Sequence, residues 1–427
     1  MERLFSTVTW ALSTNIYEVN VRQYTPEGSF SAFSTHLPRL KQMGVDTLWF
    51  MPITPISFLH RKGSLGSYYA CSDYKAVNPE FGTLTDFKSL IAAAKELGFR
   101  IMIDWVANHT GWDHVWTRSN PDFYIRNEKG VFRPPFPDWS DTIQLDYTNP
   151  GMRRAMIDCM KYWVKECGID GYRCDMAHLV PLDFWKEARK SVDQIKPLFW
   201  LAETEEPSYH EVFDATYTWE LLHTMEEYYR GDAGMNELDK VLYNYSEKFS
   251  ETALRAYFTS NHDENSHSGS EYERMGESAI AFAVLCATWS NSVPLIYSGQ
   301  ELPLKDKRIR FFDHDPIEWT GRPALHDFYK GILNLRLTNP ALRAADAQSR
   351  TYRLDTTANQ SVFAFLRKNG TNEVLVLLNL SHSSTSFTIK GKLLSGIYAD
   401  LYTGSQRQIN NEDEHRLEGW AFRIYHR

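Results

Sequence analysis

Short apolar runs alternate with longer stretches whose apolar residues recur every three or four positions, and this alternation repeats along most of the chain. The first run covers residues 16–21. Phe33, Leu37, Leu40 and Met43 follow at helical spacing, Gly44 supplies a stop, and residues 46–51 form a second strand. In the next unit Thr85 is placed to cap a helix whose buried stripe is Phe87, Leu90, Ile91, Ala94 and Leu97; Gly98 ends it, and residues 100–104 are strand three. Met152, Met156, Cys159 and Trp163 carry a further helix to Gly168, and residues 169–175 are strand four. Residues 199–203, 213–217, 256–260 and 294–297 complete the series. Eight strands alternating with helices predict an α/β fold, the (β/α)8 TIM barrel.

Such a barrel takes about 250 residues. The chain has 427, and the surplus lies in two places. The stretch from Ala107 to Asn149 is rich in Pro, Trp and Asp and has no clear period, which predicts a short inserted loop domain after strand three. Beyond Pro340, alternating runs at residues 362–366 and 374–378 predict a C-terminal antiparallel β-sandwich domain. The expected organisation is barrel over 1–106, insert over 107–149, barrel again over 150–340 and an all-β domain over 341–427.

A hydrophobic content of 43% with 23% charged residues describes a soluble globular protein with a large core. The net charge of -8 and the lack of clustered Lys and Arg exclude a phosphate-binding surface, so nucleic acid is not an expected partner. No stretch is apolar enough to span a bilayer, and residues 1–5 lack the apolar core of a leader. A cytoplasmic location is expected, or a periplasmic or secreted one if a leader has been removed. The five cysteines are scattered and never form a Cys-x-x-Cys pair, so they predict buried small hydrophobes, with neither a disulfide framework nor a thiolate metal site. Aromatic residues reach 14%, enough to give stacking platforms for a ligand with apolar ring faces, such as a sugar, beside an aromatic core. Phe132, Phe136 and Trp139 of the insert fit either use.

In a barrel of this kind the active site lies at the C-terminal ends of the strands. Asp104, Asp175, Glu203 and Asp263 all end strand-like runs, and Asn108-His109 and Asn261-His262 occupy the same rim. Arg173 precedes Asp175 by two residues, so the two share a face, and the guanidinium favours the carboxylate as an anion suited to nucleophilic attack. Glu203 follows Trp200, Leu201 and Ala202 with no basic residue close in sequence, an apolar setting suited to a proton donor. Two carboxyls in contrasting environments, roughly 5 to 5.5 Å apart, carry out retaining glycoside hydrolysis. A zinc-dependent hydrolase built on His109, His262 and Asp104 is a competing reading, but no His-x-His pair ends a strand.

With these motifs in place, the chain resembles the α-amylase family of retaining, α-glucan-active glycoside hydrolases over most of its length. The likeness rests on Asp104 with Asn108-His109, on Gly171-Tyr172-Arg173-Cys174-Asp175, on Glu203 and on Asn261-His262-Asp263, with further matches at residues 66–74 and at Leu145-Asp146-Tyr147. It implies that Asp175 is the nucleophile, Glu203 the general acid and base, and that Asp263 holds sugar hydroxyls as the ring distorts. Tyr69 would stack on the sugar at the cleavage point, His109, His262 and Arg173 would line the same subsite, Asp104 would brace it, and Asp146 would be structural or calcium-related.

The chain departs from the family after the nucleophile, where Lys-His is frequent and Met176-Ala177-His178-Leu179 stands here. His178 is then either a rim residue touching sugar or a hydrogen-bonded loop residue. The chemistry requires no cofactor; a structural calcium ion would draw on the side-chain oxygen of Asn108, although the aspartate-rich calcium loop after strand one is missing. The expected activity is retaining cleavage of α-1,4-glucosidic bonds in starch, glycogen or maltooligosaccharides. An α-glucosidase, a transglycosylase or a glucosyl isomerase is the alternative within the family. A non-catalytic carbohydrate-binding or transporter-associated barrel is the remote one, and it would be expected to lack a catalytic carboxylate. Oligomeric state is not legible in the sequence.

Overall fold

The structure, a computed structural model, describes residues 5–305 and 307–427. The first four residues on which the leader expectation partly rests lie outside them. Eight parallel strands close into a barrel: β1 (Ile16–Val19), β2 (Thr47–Phe50), β3 (Arg100–Trp105), β4 (Gly171–Cys174), β5 (Phe199–Ala202), β6 (Ala215–Tyr217), β7 (Leu254–Tyr257) and β8 (Ser292–Tyr297). β1 pairs with both β2 and β8, which removes every free edge. Register sets the site: Asp104 lies opposite Arg173, and Cys174 opposite Ala202, so that Asp175 and Glu203 leave adjacent strands at the same height.

Two local expectations are corrected. The helix that precedes β3 (Leu84–Glu96) is capped by Thr83 and not Thr85: the Thr83 hydroxyl accepts from Asp86 N–H, and Asp86 answers to the Thr83 N–H at 2.7 Å. A carboxylate at the third helical position closes this reciprocal box, which Thr85 has no partner to make. β7 starts two residues earlier than the apolar run suggested and ends at Tyr257, because its last pairing with β8 is Tyr257 against Pro294. Arg255 hid its start. This buried guanidinium is sandwiched 4.2 Å from the Tyr245 ring and 3.6 Å from Phe249.

Between β3 and β4, an antiparallel hairpin of His109–Gly111 with Thr142–Gln144 anchors the insert to the barrel rim. Phe132 packs on Tyr124 with ring centroids 5.2 Å apart, while Trp139 meets the edge of His109 at 5.3 Å and Phe136 at 4.9 Å. The C-terminal region is a six-stranded antiparallel sheet with a two-stranded sheet, Thr385–Thr388 and Glu414–Leu417, beside it. Val362, Ala364 and Leu366 face a small core shared with Phe387 and Leu417, whereas Phe363 and Phe365 join the main core of the barrel. Trp289 lies 4.9 Å from Phe365 at that junction. A strand buried on both faces reads as an unbroken apolar run, and each buried Phe contributes roughly 1.5–3 kcal/mol. All five cysteines are free and buried, and no helix among the described residues is long and apolar enough to cross a membrane.

Candidate active site

Arg173 is the hub. It lies on β4 and is fully buried, so that no solvent competes for its five donors. Nη1 donates to Asp104 Oδ1 and to Asp175 Oδ1, both at 3.1 Å; Nη2 pairs with Glu203 Oε1 at 2.7 Å; Nε donates to Tyr217 Oη at 3.2 Å. One guanidinium therefore holds three carboxylates from three successive strands. The apolar setting expected for Glu203 is corrected by this pairing, since Arg173 is remote in sequence yet adjacent across the β4–β5 register.

Asp175 also departs from expectation. Burial and the neighbouring Glu203 charge push its carboxyl well above the ordinary range, against the pull of Arg173. Met176 follows in the left-handed conformation, with φ 40° and ψ 47°. For a residue with a side chain this conformation is strained. Here it turns the Met176 N–H onto Glu203 Oε2 at 2.7 Å, so the backbone next to one carboxyl orients the other.

Asp104 stays below the rim, accepting at 3.2 Å from both Trp49 Nε1 and Tyr69 Oη. Burial raises it to about 6 although Arg173 opposes this. Asp263 is the accessible member, with 40% of its side chain exposed. Partial burial raises its carboxyl, but the adjoining His262 charge outweighs this and holds it down at about 2. His262 Nε2 lies 3.2 Å from Asp263 Oδ2 and 2.7 Å from Tyr69 Oη. The Tyr69 and His262 rings stack with centroids 5.4 Å apart, and Phe311 extends the stack at 6.2 Å from Tyr69. Burial pulls His262 down, yet the charges of Asp263 and Glu18 raise it well above the usual imidazole range.

The structure thus gathers Tyr69, Asp104, Arg173, Asp175, Glu203, His262 and Asp263 into one connected group. His109 adjoins it from the hairpin, buried and lowered to about 4 by desolvation, hence neutral at pH 7. His178 is not part of the group: it is exposed on a short turn, Ala177–Leu179. Sequence reasoning missed Glu18, Trp49, Tyr217 and Phe311. Glu18 alone left a sign there, as the one charged residue in an apolar strand.

The calcium expectation finds no cluster of acidic or imidazole ligands to support it: among the described residues no group of three or more His, Cys, Asp or Glu could hold a metal ion. The amide nitrogen of Asn108 is turned to His109 Nδ1 at 3.2 Å, and Asp146 Oδ1 accepts from the Thr148 N–H and hydroxyl. The same absence of a cluster removes support from the zinc reading.

Comparison with known proteins agrees with this architecture. Residues 14–322 match the model of the alpha amylase catalytic domain, and residues 354–424 that of the alpha amylase C-terminal all-beta domain. The alpha-amylase MalA of Haloarcula japonica is 25% identical over 400 residues, covering 90% of this chain and 58% of that protein. An alpha-1,4-glucan:maltose-1-phosphate maltosyltransferase of Rhodospirillum rubrum is 27% identical over 405 residues, covering 85% of this chain and 56% of that protein. The chain thus spans less than two thirds of the length of both relatives. In structure it is similar to the maltogenic alpha-amylase AmyB of Thermotoga neapolitana, with a TM-score of 0.89, 28% identity, and coverage of 98% of this chain and 99% of that one. The barrel, its rim of carboxylates and the all-β domain place this chain in the alpha-amylase family.

Proposed function

We propose that the chain cleaves α-1,4-glucosidic bonds of starch, glycogen or maltooligosaccharides with retention of configuration. The observation that carries this reading is the single Arg173 guanidinium joining Asp175 to Glu203 while Asp263 stands open beside them. In the first step Asp175 attacks the anomeric carbon as Glu203 gives its proton to the departing oxygen, forming a glycosyl ester. With the proton on Glu203, its repulsion of Asp175 is gone, and Arg173 acts against the burial that still raises Asp175, favouring the attacking anion. Esterification removes the charge of Asp175. Glu203, still held by Arg173 and the Met176 N–H, is then the base that takes a proton from water as the water oxygen attacks the anomeric carbon and the ester bond breaks, which returns Asp175 as the carboxylate. Asp263 and His262 offer an anion and a cation to the ring hydroxyls, and the Tyr69 face packs against the sugar.

Water and a second sugar compete for the glycosyl ester. The similarity to a maltosyltransferase keeps glucosyl transfer as the second reading. A proton NMR time course on maltoheptaose separates the two. Early α-anomer with mixed shorter products is the expected result; glucose alone moves the activity to an α-glucosidase, and products longer than the substrate move it to transfer. Absence of any change on maltoheptaose, trehalose, sucrose and α-1,6-linked glucans overturns the proposal.

A further inference from the structure

Beneath the carboxylates lies a buried acid that the mechanism above does not use. Glu18, on β1, has no exposed surface, and its Oε1 forms a short hydrogen bond with His262 Nδ1. Its other oxygen, Oε2, has no hydrogen-bond partner among the described residues. A carboxylate buried this way is costly unless an opposite charge accompanies it. His262 is the group in direct contact, and its second nitrogen faces Asp263.

The proton order along this chain of contacts follows from the donors available. Tyr69 has one hydroxyl proton and lies between His262 Nε2 and Asp104 Oδ2. If His262 Nε2 carries a proton, it donates to the Tyr69 oxygen and to Asp263, while Tyr69 donates to Asp104, and every contact is favourable. If Nε2 is bare, its lone pair points at the Asp263 carboxylate 3.2 Å away, and Tyr69 must abandon Asp104 to satisfy it. Burial raises the Glu18 carboxyl, while the His262 charge, its hydrogen bond and Arg173 oppose this; with the proton on Nδ1, that nitrogen donates to the Glu18 anion. The other charged groups of this region are Arg173 on β4, which attracts the Glu18 carboxylate, and Asp263, which repels it. Around the ring itself pack Trp49, Tyr69 and Phe311, all uncharged.

We propose that Glu18 is a positioning residue of the reaction: by accepting from Nδ1 it keeps His262 a doubly protonated imidazolium, which in turn fixes Asp263 and Tyr69 toward the sugar. The kinetic part of this proposal rests on the α-glucan reading; the protonation of His262 does not. The discriminating variant is Glu18→Gln, which keeps the shape and an acceptor but removes the charge. An opposite charge at contact distance is worth roughly 1 to 3 pH units to its partner. Loss of the Glu18 charge therefore lets His262 shed its proton at lower pH, and the alkaline limb of kcat/KM on maltoheptaose moves down by about one unit or more. Glu18→Asp, which keeps the charge, retains most of the wild-type limb.

The direct readout is the pair of imidazole nitrogen resonances of His262 in histidine-labelled protein, assigned by their loss in His262→Asn. Two protonated nitrogens at pH 7 in the wild type, and one in Glu18→Gln, are expected. A neutral His262 in the wild type at pH 7, or an alkaline limb unmoved in a folded Glu18→Gln, overturns the proposal. If no α-glucan is turned over, the resonances still decide the point, so its failure is distinguishable from failure of the functional reading. If Glu18→Gln does not fold, the wild-type resonances and the Glu18→Asp profile carry the test.

Discussion

Arg173 Nη2 stands 2.7 Å from Glu203 Oε1 while Nη1 of the same group donates to Asp175. The planar fork of arginine spans two carboxyls at once, which a lysine ammonium cannot do. Arg173→Lys keeps the charge and loses the span. Misplacing reacting groups by about 1 Å costs roughly 100-fold, so kcat/KM is expected to fall by at least about that factor. Breaking a buried ion pair costs roughly 3–5 kcal/mol, so the urea midpoint should fall as well. Near-wild-type turnover would show that the clamp does not set the geometry.

Asp175→Ala and Glu203→Gln are each expected to lower kcat by roughly 10⁴-fold or more, as removal of a nucleophile or its proton-transfer partner does elsewhere. Circular dichroism should show both still folded. Azide should restore turnover to Asp175→Ala and yield a glycosyl azide of inverted configuration, because a small anion fits where the carboxylate was cut away. Retained activity in either variant would displace the assignment of roles.

Acid should destabilise the protein through its buried histidines. Burial lowers His109 to about 4 and His114 to about 3. An unfolded histidine titrates near ~6.5, so as pH falls below that value the unfolded chain takes up protons that the folded chain refuses. Stability is therefore lost from about pH 6.5 down to about pH 4 for His109, and lower still for His114. The two histidines together contribute up to about 2.7 kcal/mol per pH unit, and the raised Asp104 and Asp175 carboxyls act in the opposite sense. Urea midpoints between pH 7.5 and 4.5 measure the net slope. His114→Phe, away from the carboxylate cluster, should start lower in stability and fall less steeply; an unchanged slope would remove His114 from the account.

The barrel was legible in the sequence because its strands, buried on both faces, are short unbroken apolar runs while its helices carry a stripe at a period of 3.6, and because glycines such as Gly44 and Gly168 mark helix ends with φ 93° and 61°. Carboxylates at strand ends were legible for the same reason: the barrel makes a strand end a place. The sequence by itself determined the order of elements, the apolar faces and the acids on the rim. Tertiary structure alone decided which charges meet. Arg173 reaches Glu203 and Asp104 from neighbouring strands, and Glu18 reaches His262 across 244 positions of sequence. Parallel-strand register, closure and burial create those contacts, and Coulomb energy in a dry interior depends on distance in space, about which separation along the chain says nothing.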